Sequence, residues 1–184
     1  MDLCTYHSHC NFCDGKAPAE DFVKAAIEAG FHSYGISSHS PLPFETRWSL
    51  SKGNVEAYLT EIKRLQEKYA GQIELYVGME IDYLNDDWGP AVEYFQRMPL
   101  DYRIGSVHLV TEEQTGEIMD MDGKFEDFRE NLRLIFHDDL KYLVEAYFKA
   151  SSRMVELGGF DFVAHLDKIS MNGSLMDSTL TEQE

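Results

Sequence analysis

The sequence has no apolar run of the roughly 18 residues that a membrane-spanning helix needs, so no such helix is predicted. No basic segment followed by an apolar stretch opens the chain, so no secretory signal is predicted. Cysteine is scarce, and the three cysteines, Cys4, Cys10 and Cys13, are odd in number and close together. This pattern argues against a disulfide framework and predicts a reducing, cytoplasmic location.

Basic residues are also few, with 16 lysines and arginines against 33 acidic residues and a net charge of −17. Such a field repels nucleic acid and anionic membranes, so neither is an expected partner. A small phosphorylated substrate stays compatible with this charge, because bound metal ions can reverse the potential locally. The oligomeric state is left open.

At 184 residues the chain is long enough for one domain with a sizeable core. Short apolar segments that read as strands alternate with helical patterns. Strands are predicted at 3–6, 33–38, 73–79, 102–107 and 161–165, and helices near 18–30, 54–70, 88–97, 125–136 and 138–157. The stretch 111–124 is expected to be a loop, and the tail from Met171 has no strong pattern. This alternation predicts parallel βα units, most simply a barrel or part of one.

Histidines and one glutamate occupy a common position, at or just past the ends of the predicted strands. They are His7, His9, His39, Glu80, His108 and His165. Imidazoles and carboxylates gathered at one end of a parallel sheet are typical of a metal-dependent active site in a barrel. The other two histidines, His32 and His137, do not follow strands and are expected at the surface.

Taken one at a time, these residues leave alternatives open. His7 and His9 can face one side of a strand and bind one ion, but an isolated His-x-His also arises by chance. His39 could instead be a capping or core histidine. Glu80 sits in an apolar stretch, where a carboxylate needs a partner; we favour a metal over a salt bridge. Asp14, in Cys13-Asp14-Gly15, is by itself a typical turn residue.

The Cys10-x-x-Cys13 spacing suggests two further possibilities, both disfavoured. It could form half of a zinc knuckle, but the sequence has no second cysteine pair. A nucleophilic cysteine would need an activating base, and no specific one can be identified from the sequence.

Together these motifs resemble the polymerase and histidinol phosphatase (PHP) superfamily, over about residues 3–170. The matching strings are His7-Ser8-His9, residues 38–43 (SHSPLP), residues 78–83 (GMEIDY), residues 105–108 (GSVH) and residues 164–167 (AHLD). The SPLP and EIDY strings are specific to its histidinol-phosphatase branch, whereas the isolated histidines mark only the superfamily. The resemblance implies an α/β fold, a distorted TIM-like (β/α)7 barrel holding up to three divalent ions of zinc, manganese or iron.

The resemblance also implies a distribution of metal ligands. His7, His9 and Glu80 would bind the first ion, and Asp14 and His39 the third. Glu80 would bridge to the second ion, which His108 and His165 complete. The implied catalytic residues are therefore Glu80, His108 and His165. A basic residue should bind phosphate, and the sequence leaves Lys168, Arg103 and Arg47 as equal candidates.

One departure from the family pattern concerns the last ligands. The family ends its site with a late Asp-x-His motif, whereas no histidine follows His165 here. We therefore expect residues 1–184 to form a single PHP domain shortened to about five βα units, without the last strands and ligand motif.

The implied activity is hydrolysis of L-histidinol phosphate, a phosphomonoester of histidine biosynthesis, by water activated between metal ions. Two alternatives are kept: a PHP nuclease or phosphoesterase acting on nucleotides, and an inactive metal-binding domain. The acidic charge counts against the first, and the missing motif favours the second.

Overall fold

The computed structural model describes residues 2–176, in which strands and helices alternate along most of the chain. The strands are β1 (Leu3–Thr5), β2 (Phe31–Ile36), β3 (Glu74–Asp82), β4 (Tyr102–Ser106), β5 (Leu109–Thr111), β6 (Ile118–Asp120) and β7 (Phe162–Val163). The helices are α1 (Ala19–Glu28), α2 (Val55–Lys68), α3 (Glu93–Gln96), α4 (Phe125–Ile135), α5 (Leu140–Leu157) and α6 (Ser170–Met176).

Five strands form one curled parallel sheet in the order β1-β2-β3-β4-β7. Every neighbouring pair in this sheet is parallel. The result is the wall of a half-barrel with β1 and β7 at its edges. Within the described part of the chain, this confirms the predicted α/β fold and its five parallel strands.

Two hydrophobic cores lie on either side of the centre of the sheet, and each is built by helices with apolar stripes. On α2, Tyr58, Ile62 and Leu65 are fully buried at the spacing of one helix face. On α5, Leu143 and Tyr147 are buried in the same way, in a second cluster with residues of the β5–β6 hairpin and of α4. The helices thereby hold the strands in the register that sets the positions of their ends.

The concave side of the sheet is filled by Tyr102, and two glycines make room for its ring. A Cβ atom on Gly35 or Gly78 would lie 2.2 Å from the Tyr102 side chain, well inside van der Waals contact. The Tyr102 hydroxyl also donates a hydrogen bond of 2.6 Å to the Tyr6 carbonyl. This packing ties β1 to β4 across the sheet, directly below the strand ends.

The structure corrects the prediction of a loop over 111–124. This stretch contains most of an antiparallel hairpin, β5–β6, in which Val110 pairs with Met119 and both are buried. Its polar residues lie mainly in the turn, where the Glu112 carboxylate accepts hydrogen bonds from Thr115 N and Tyr142 Oη at 2.7 and 2.6 Å. The sequence pattern failed here because each strand is only three residues long.

The tail from Met171, which shows no strong sequence pattern, begins within a helix in its described part, since α6 covers Ser170–Met176. The buried Asn172 on this helix donates a hydrogen bond of 3.0 Å to the Met121 carbonyl. None of the helices in residues 2–176 has the length and hydropathy to cross a membrane.

Candidate metal centre

The carboxyl ends of the parallel strands bring the predicted site residues together. His7, His39, His108 and His165 each follow the end of a strand by two or three residues. The prediction that Glu80 lies just past the end of its strand is wrong, because β3 continues to Asp82 and contains Glu80. The reason is that β3 stays paired with β4 as far as Asp82, which lies opposite Ser106. Glu80 is also bonded to the segment after β2: Glu80 N donates to Ser38 O at 3.1 Å, and Ser40 N to Glu80 O at 2.7 Å.

The Glu80 carboxylate is fully buried and lies at the centre of five imidazole rings. On one side, its Oε2 atom is 3.0 Å from His7 Nε2, 3.3 Å from His9 Nε2 and 3.2 Å from His39 Nδ1. On the other side, its Oε1 atom is 3.2 Å from His165 Nε2 and 3.6 Å from His108 Nε2. The two oxygens therefore divide the cluster into an Oε2 side (His7, His9 and His39) and an Oε1 side (His108 and His165).

Asp14 joins the Oε2 side from the loop after β1. Its Oδ1 atom lies 3.4 Å from His9 Nδ1 and 3.9 Å from His39 Nε2. His39 thus stands between Asp14 and Glu80. The family resemblance grouped His39 with Asp14 alone, so its contact with Glu80 is a feature that the sequence did not predict.

Asp82 is a site residue that sequence reasoning missed. Its Oδ1 atom accepts two hydrogen bonds from His108, one from the backbone N–H at 3.0 Å and one from ring Nδ1 at 2.7 Å. These bonds turn the opposite ring nitrogen, Nε2, toward Glu80. A signal was available, because Asp82 is two residues after Glu80 in a strand and so faces the same side.

Three further side chains surround the Oε1 side. The Trp48 ring lies 4.9 Å from the His39 ring and 5.6 Å from the His108 ring, measured between centroids. Its indole N–H donates a 2.9 Å hydrogen bond to Asp120. Beyond it, Asp122 Oδ2 is 4.0 Å from His108 Nε2 and Asp122 Oδ1 is 2.8 Å from Lys168 Nζ.

The electrostatics of the cluster are dominated by burial and by the central carboxylate. Burial raises the pKa of Glu80, but the imidazoles of His165, His7 and His9 beside its two oxygens outweigh burial and hold that pKa well below its usual range. Burial lowers the pKa of His39 to about 4. Burial also lowers the pKa of His108, but Asp82 and then Glu80 reverse the direction and raise it to about 9. The metal-free cluster therefore holds its carboxylate charged.

The donor set fits a divalent metal ion. Glu80 Oε1 and His39 Nδ1 are buried and make no hydrogen bond of normal geometry. Buried polar atoms are rarely left so, and a bound cation would satisfy a carboxylate oxygen and imidazole nitrogens together. Ligand atoms lie within 4.8 Å of one another in three sets: His7-His9-Glu80, His9-Asp14-His39 and His39-Glu80-His108. Divalent metal binding is the chemistry that this cluster supports.

Other residues singled out in the sequence lie outside these sets. His32 and His137 are exposed, as predicted. Cys13 approaches the cluster, with its Sγ 3.5 Å from His9 Nδ1, and Cys10 is buried with its Sγ 3.4 Å from Ser38 Oγ. No metal-ligand set among residues 2–176 includes a cysteine.

A cavity of about 710 Å³ in the described residues lies away from this cluster. It is an open groove between the starts of α1 and α2, bordered by Asn11, Phe12 and Glu56. None of the predicted ligands borders it, so we place the candidate site by its chemistry, at the strand ends.

A half-barrel of parallel strands with imidazoles and carboxylates at its carboxyl edge defines a divalent-metal type of site. The chain belongs to the PHP domain family, whose model matches residues 5–183.

Individual relatives extend this result. A curated relative from Deinococcus radiodurans, named as a probable histidinol-phosphatase, is 29% identical over 114 residues, covering 58% of this chain and 42% of the relative. The chain spans less than half the length of the curated relatives it matches.

Solved structures show the same fold. One from Listeria monocytogenes, which also carries a histidinol phosphatase name, superposes with a TM-score of 0.72 at 23% identity, covering 91% of this chain and 68% of that one. A histidinol phosphate phosphatase from Lactococcus lactis, complexed with zinc, L-histidinol and phosphate, gives 0.63 at 21% identity, covering 91% and 59%.

Proposed function

We propose that this chain is a metal-dependent phosphomonoesterase that hydrolyses L-histidinol phosphate to L-histidinol and phosphate, in histidine biosynthesis. One observation carries the proposal: both oxygens of a single buried carboxylate, Glu80, face imidazole nitrogens at 3.0–3.6 Å. A carboxylate placed in this way can bridge two cations, and paired cations are typical of phosphate-ester hydrolysis. The names of the relatives suggest the substrate.

The proposed roles of the residues are those that the family resemblance implies. His7, His9 and Glu80 would hold one ion, Glu80 with His108 and His165 a second, and Asp14 with His39 a third. Bound ions of zinc, manganese or iron would acidify a water molecule and offset negative charge on the phosphoryl oxygens. Glu80 would act as the shared anchor, and Asp82 would fix the ring of His108 so that Nε2 faces inward.

The proposal also concerns the setting of the protein. We propose that residues 1–184 act as one PHP domain in the cytoplasm, with a small phosphorylated molecule rather than nucleic acid as its partner. Three free cysteines and a net charge of −17 support this setting.

The test is phosphate release from L-histidinol phosphate by protein that has been stripped with a chelator and reloaded with zinc, manganese or iron. A phosphodiester oligonucleotide and a nucleoside monophosphate serve as competing substrates. Glu80→Gln removes the bridging charge while keeping side-chain size, and His32→Gln is the matched control at an exposed histidine outside the cluster. Circular dichroism checks that both variants fold.

We expect metal-dependent release from L-histidinol phosphate by the wild type and by His32→Gln, and loss of at least about 100-fold in Glu80→Gln. Preferential cleavage of the oligonucleotide would favour the nuclease alternative. Stoichiometric metal with no turnover on any substrate would favour the inactive metal-binding domain. Full turnover by Glu80→Gln with metal bound would refute the bridging role.

A further inference from the structure

A phosphate ester that approaches this cluster meets an acidic molecule and must find positive charge. The sequence offered Lys168, Arg103 and Arg47 without a way to choose among them. The structure places Arg103 near the amino end of β4, where its guanidinium donates to the carbonyls of Phe95, Gln96 and Met98. That is the opposite end of the strand from His108, so Arg103 is occupied in holding α3 and the segment after it.

Lys168 is in a different position, since two contacts in series connect its ammonium group to the metal cluster. Lys168 Nζ is 2.8 Å from Asp122 Oδ1, and Asp122 Oδ2 is 4.0 Å from His108 Nε2. The Lys168 side chain is only 18% exposed and that of Asp122 32%. Arg47, in contrast, is exposed and forms no ion pair within residues 2–176.

The surroundings show that this lysine is held in place on both sides. Tyr147 lies under the turn that leads to it, with its hydroxyl 3.1 Å from the Leu166 carbonyl and 3.3 Å from the His165 carbonyl. The buried Asn172, four residues after Lys168, donates to the carbonyl of Met121, the neighbour of Asp122. The two partners of the ion pair are therefore fixed relative to each other through a buried hydrogen bond.

A sheltered ion pair contributes little net stability, because both charges lose water when it forms. An ammonium group has three N–H donors, and Asp122 engages one side of it. The rest of the group can donate to the oxygens of a phosphoryl group bound beside His108. From this geometry, and building on the proposed function, we infer that Lys168 is the phosphate-binding residue of the site, held in position by Asp122.

The experiment measures binding of inorganic phosphate to the zinc-loaded chain by calorimetry, for the wild type, Lys168→Met and Lys168→Arg. The matched control is Lys149→Met, which removes the same charge from an exposed lysine on α5 that pairs with Glu113. Zinc affinity and L-histidinol affinity are measured in parallel, because neither probe carries phosphate. Turnover of L-histidinol phosphate by each protein is recorded alongside.

Lys168→Met should weaken phosphate binding by about 10- to 100-fold, the loss expected for one charge-assisted hydrogen bond. Zinc and L-histidinol affinities should stay unchanged, Lys168→Arg should retain most of the phosphate affinity, and Lys149→Met should behave as the wild type. Equal phosphate affinity in Lys168→Met and the wild type would overturn the inference, as would a wild type that binds no phosphate.

Turnover separates this inference from the proposed function. Phosphate affinity lost in Lys168→Met, with no turnover by the wild type, would support the phosphate site and contradict the phosphatase. Normal turnover by Lys168→Met with unchanged phosphate affinity would support the phosphatase and refute the role of Lys168.

Discussion

The two sides of Glu80 are built on different principles. The Oε2 side gathers three imidazoles within 3.3 Å of one oxygen, but their nearest additional carboxylate is Asp14, whose side chain is 49% exposed. The Oε1 side has two imidazoles, and one of them, His108, is 1% exposed and hydrogen-bonded twice to the buried Asp82. The Oε2 side would bind a metal ion through the number of its donors, and the Oε1 side through the fixed orientation of the His108 ring.

This difference matters because a metal site gains affinity from both sources. Extra donors add bonds, whereas a locked ring avoids the entropy of ordering the ligand when the ion binds. We therefore expect the loss of a supporting residue to lower zinc affinity strongly on the Oε1 side and only slightly on the Oε2 side.

Substitution of Glu80, the carboxylate common to both sides, should have the largest effect on stabilisation by zinc. Zinc at about a thousand times its Kd should raise the free energy of unfolding of the wild type by about 4 kcal/mol, as expected for a ligand that binds only the folded state. Glu80→Gln should lose most of this increase, because both sides share that carboxylate. Urea unfolding with and without zinc measures the increase. A Glu80→Gln protein stabilised as strongly as the wild type would show that the two sides bind independently.

The second largest effect should follow the loss of the Asp82 carboxylate, which holds the His108 ring in place. Asp82→Asn should lower zinc affinity on the Oε1 side by about 10- to 100-fold, because the neutral amide holds the His108 ring less firmly. Calorimetry measures the affinity, and ¹⁵N NMR of the zinc-loaded protein reports which His108 nitrogen carries the proton. Asp87→Asn, at an exposed carboxylate in the loop after β3, is the control. If Asp82→Asn left both the His108 tautomer and the zinc affinity unchanged, Asp82 would not be a positioning residue.

Asp14→Asn should have a smaller effect, below about tenfold on zinc affinity. The Asp14 side chain is half exposed and lies 3.4 and 3.9 Å from its two imidazole neighbours, so water can replace part of its contribution. The measurement is the same zinc titration used for Asp82→Asn. A loss as great as that of Asp82→Asn would break the contrast between the two sides.

The smallest effect is expected in the hairpin that supports the Oε1 side. A hydrogen bond from Tyr142, followed by one from Thr115 N, lowers the pKa of Glu112 from 4.5 to about 2. Because the folded pKa is depressed, this contribution to stability is present above about pH 4.5 and is lost as the pH falls toward 2. Glu112→Gln should therefore lower the urea midpoint at pH 7 and have progressively less effect below pH 4.5.

The control for the hairpin is Glu117→Gln, an exposed glutamate in the same turn. Its urea midpoint should follow that of the wild type at both pH values. A destabilisation of Glu112→Gln that persisted undiminished at pH 2 would mean that shape, and not the charge of Glu112, stabilises the turn.

Much of this protein could be predicted from the order of its residues. Periodic apolar positions, such as Tyr58, Ile62 and Leu65 on α2, predicted the helices, because a helix must bury one face whatever it packs against. Histidines after successive apolar strands predicted the cluster, because the carboxyl ends of parallel strands meet at one edge. Both inferences depend on local patterns and on a general rule of topology.

Tertiary structure decided the rest. The pairing of Glu80 with both sides, the contact of His39 with two carboxylates and the Lys168–Asp122 ion pair all join segments far apart in the sequence. Asp82 belongs to the same class, since its partner His108 lies 26 residues away. Spacing along the chain states which residues can share a face, but the curvature of the sheet and the packing of its helices determine which of them touch.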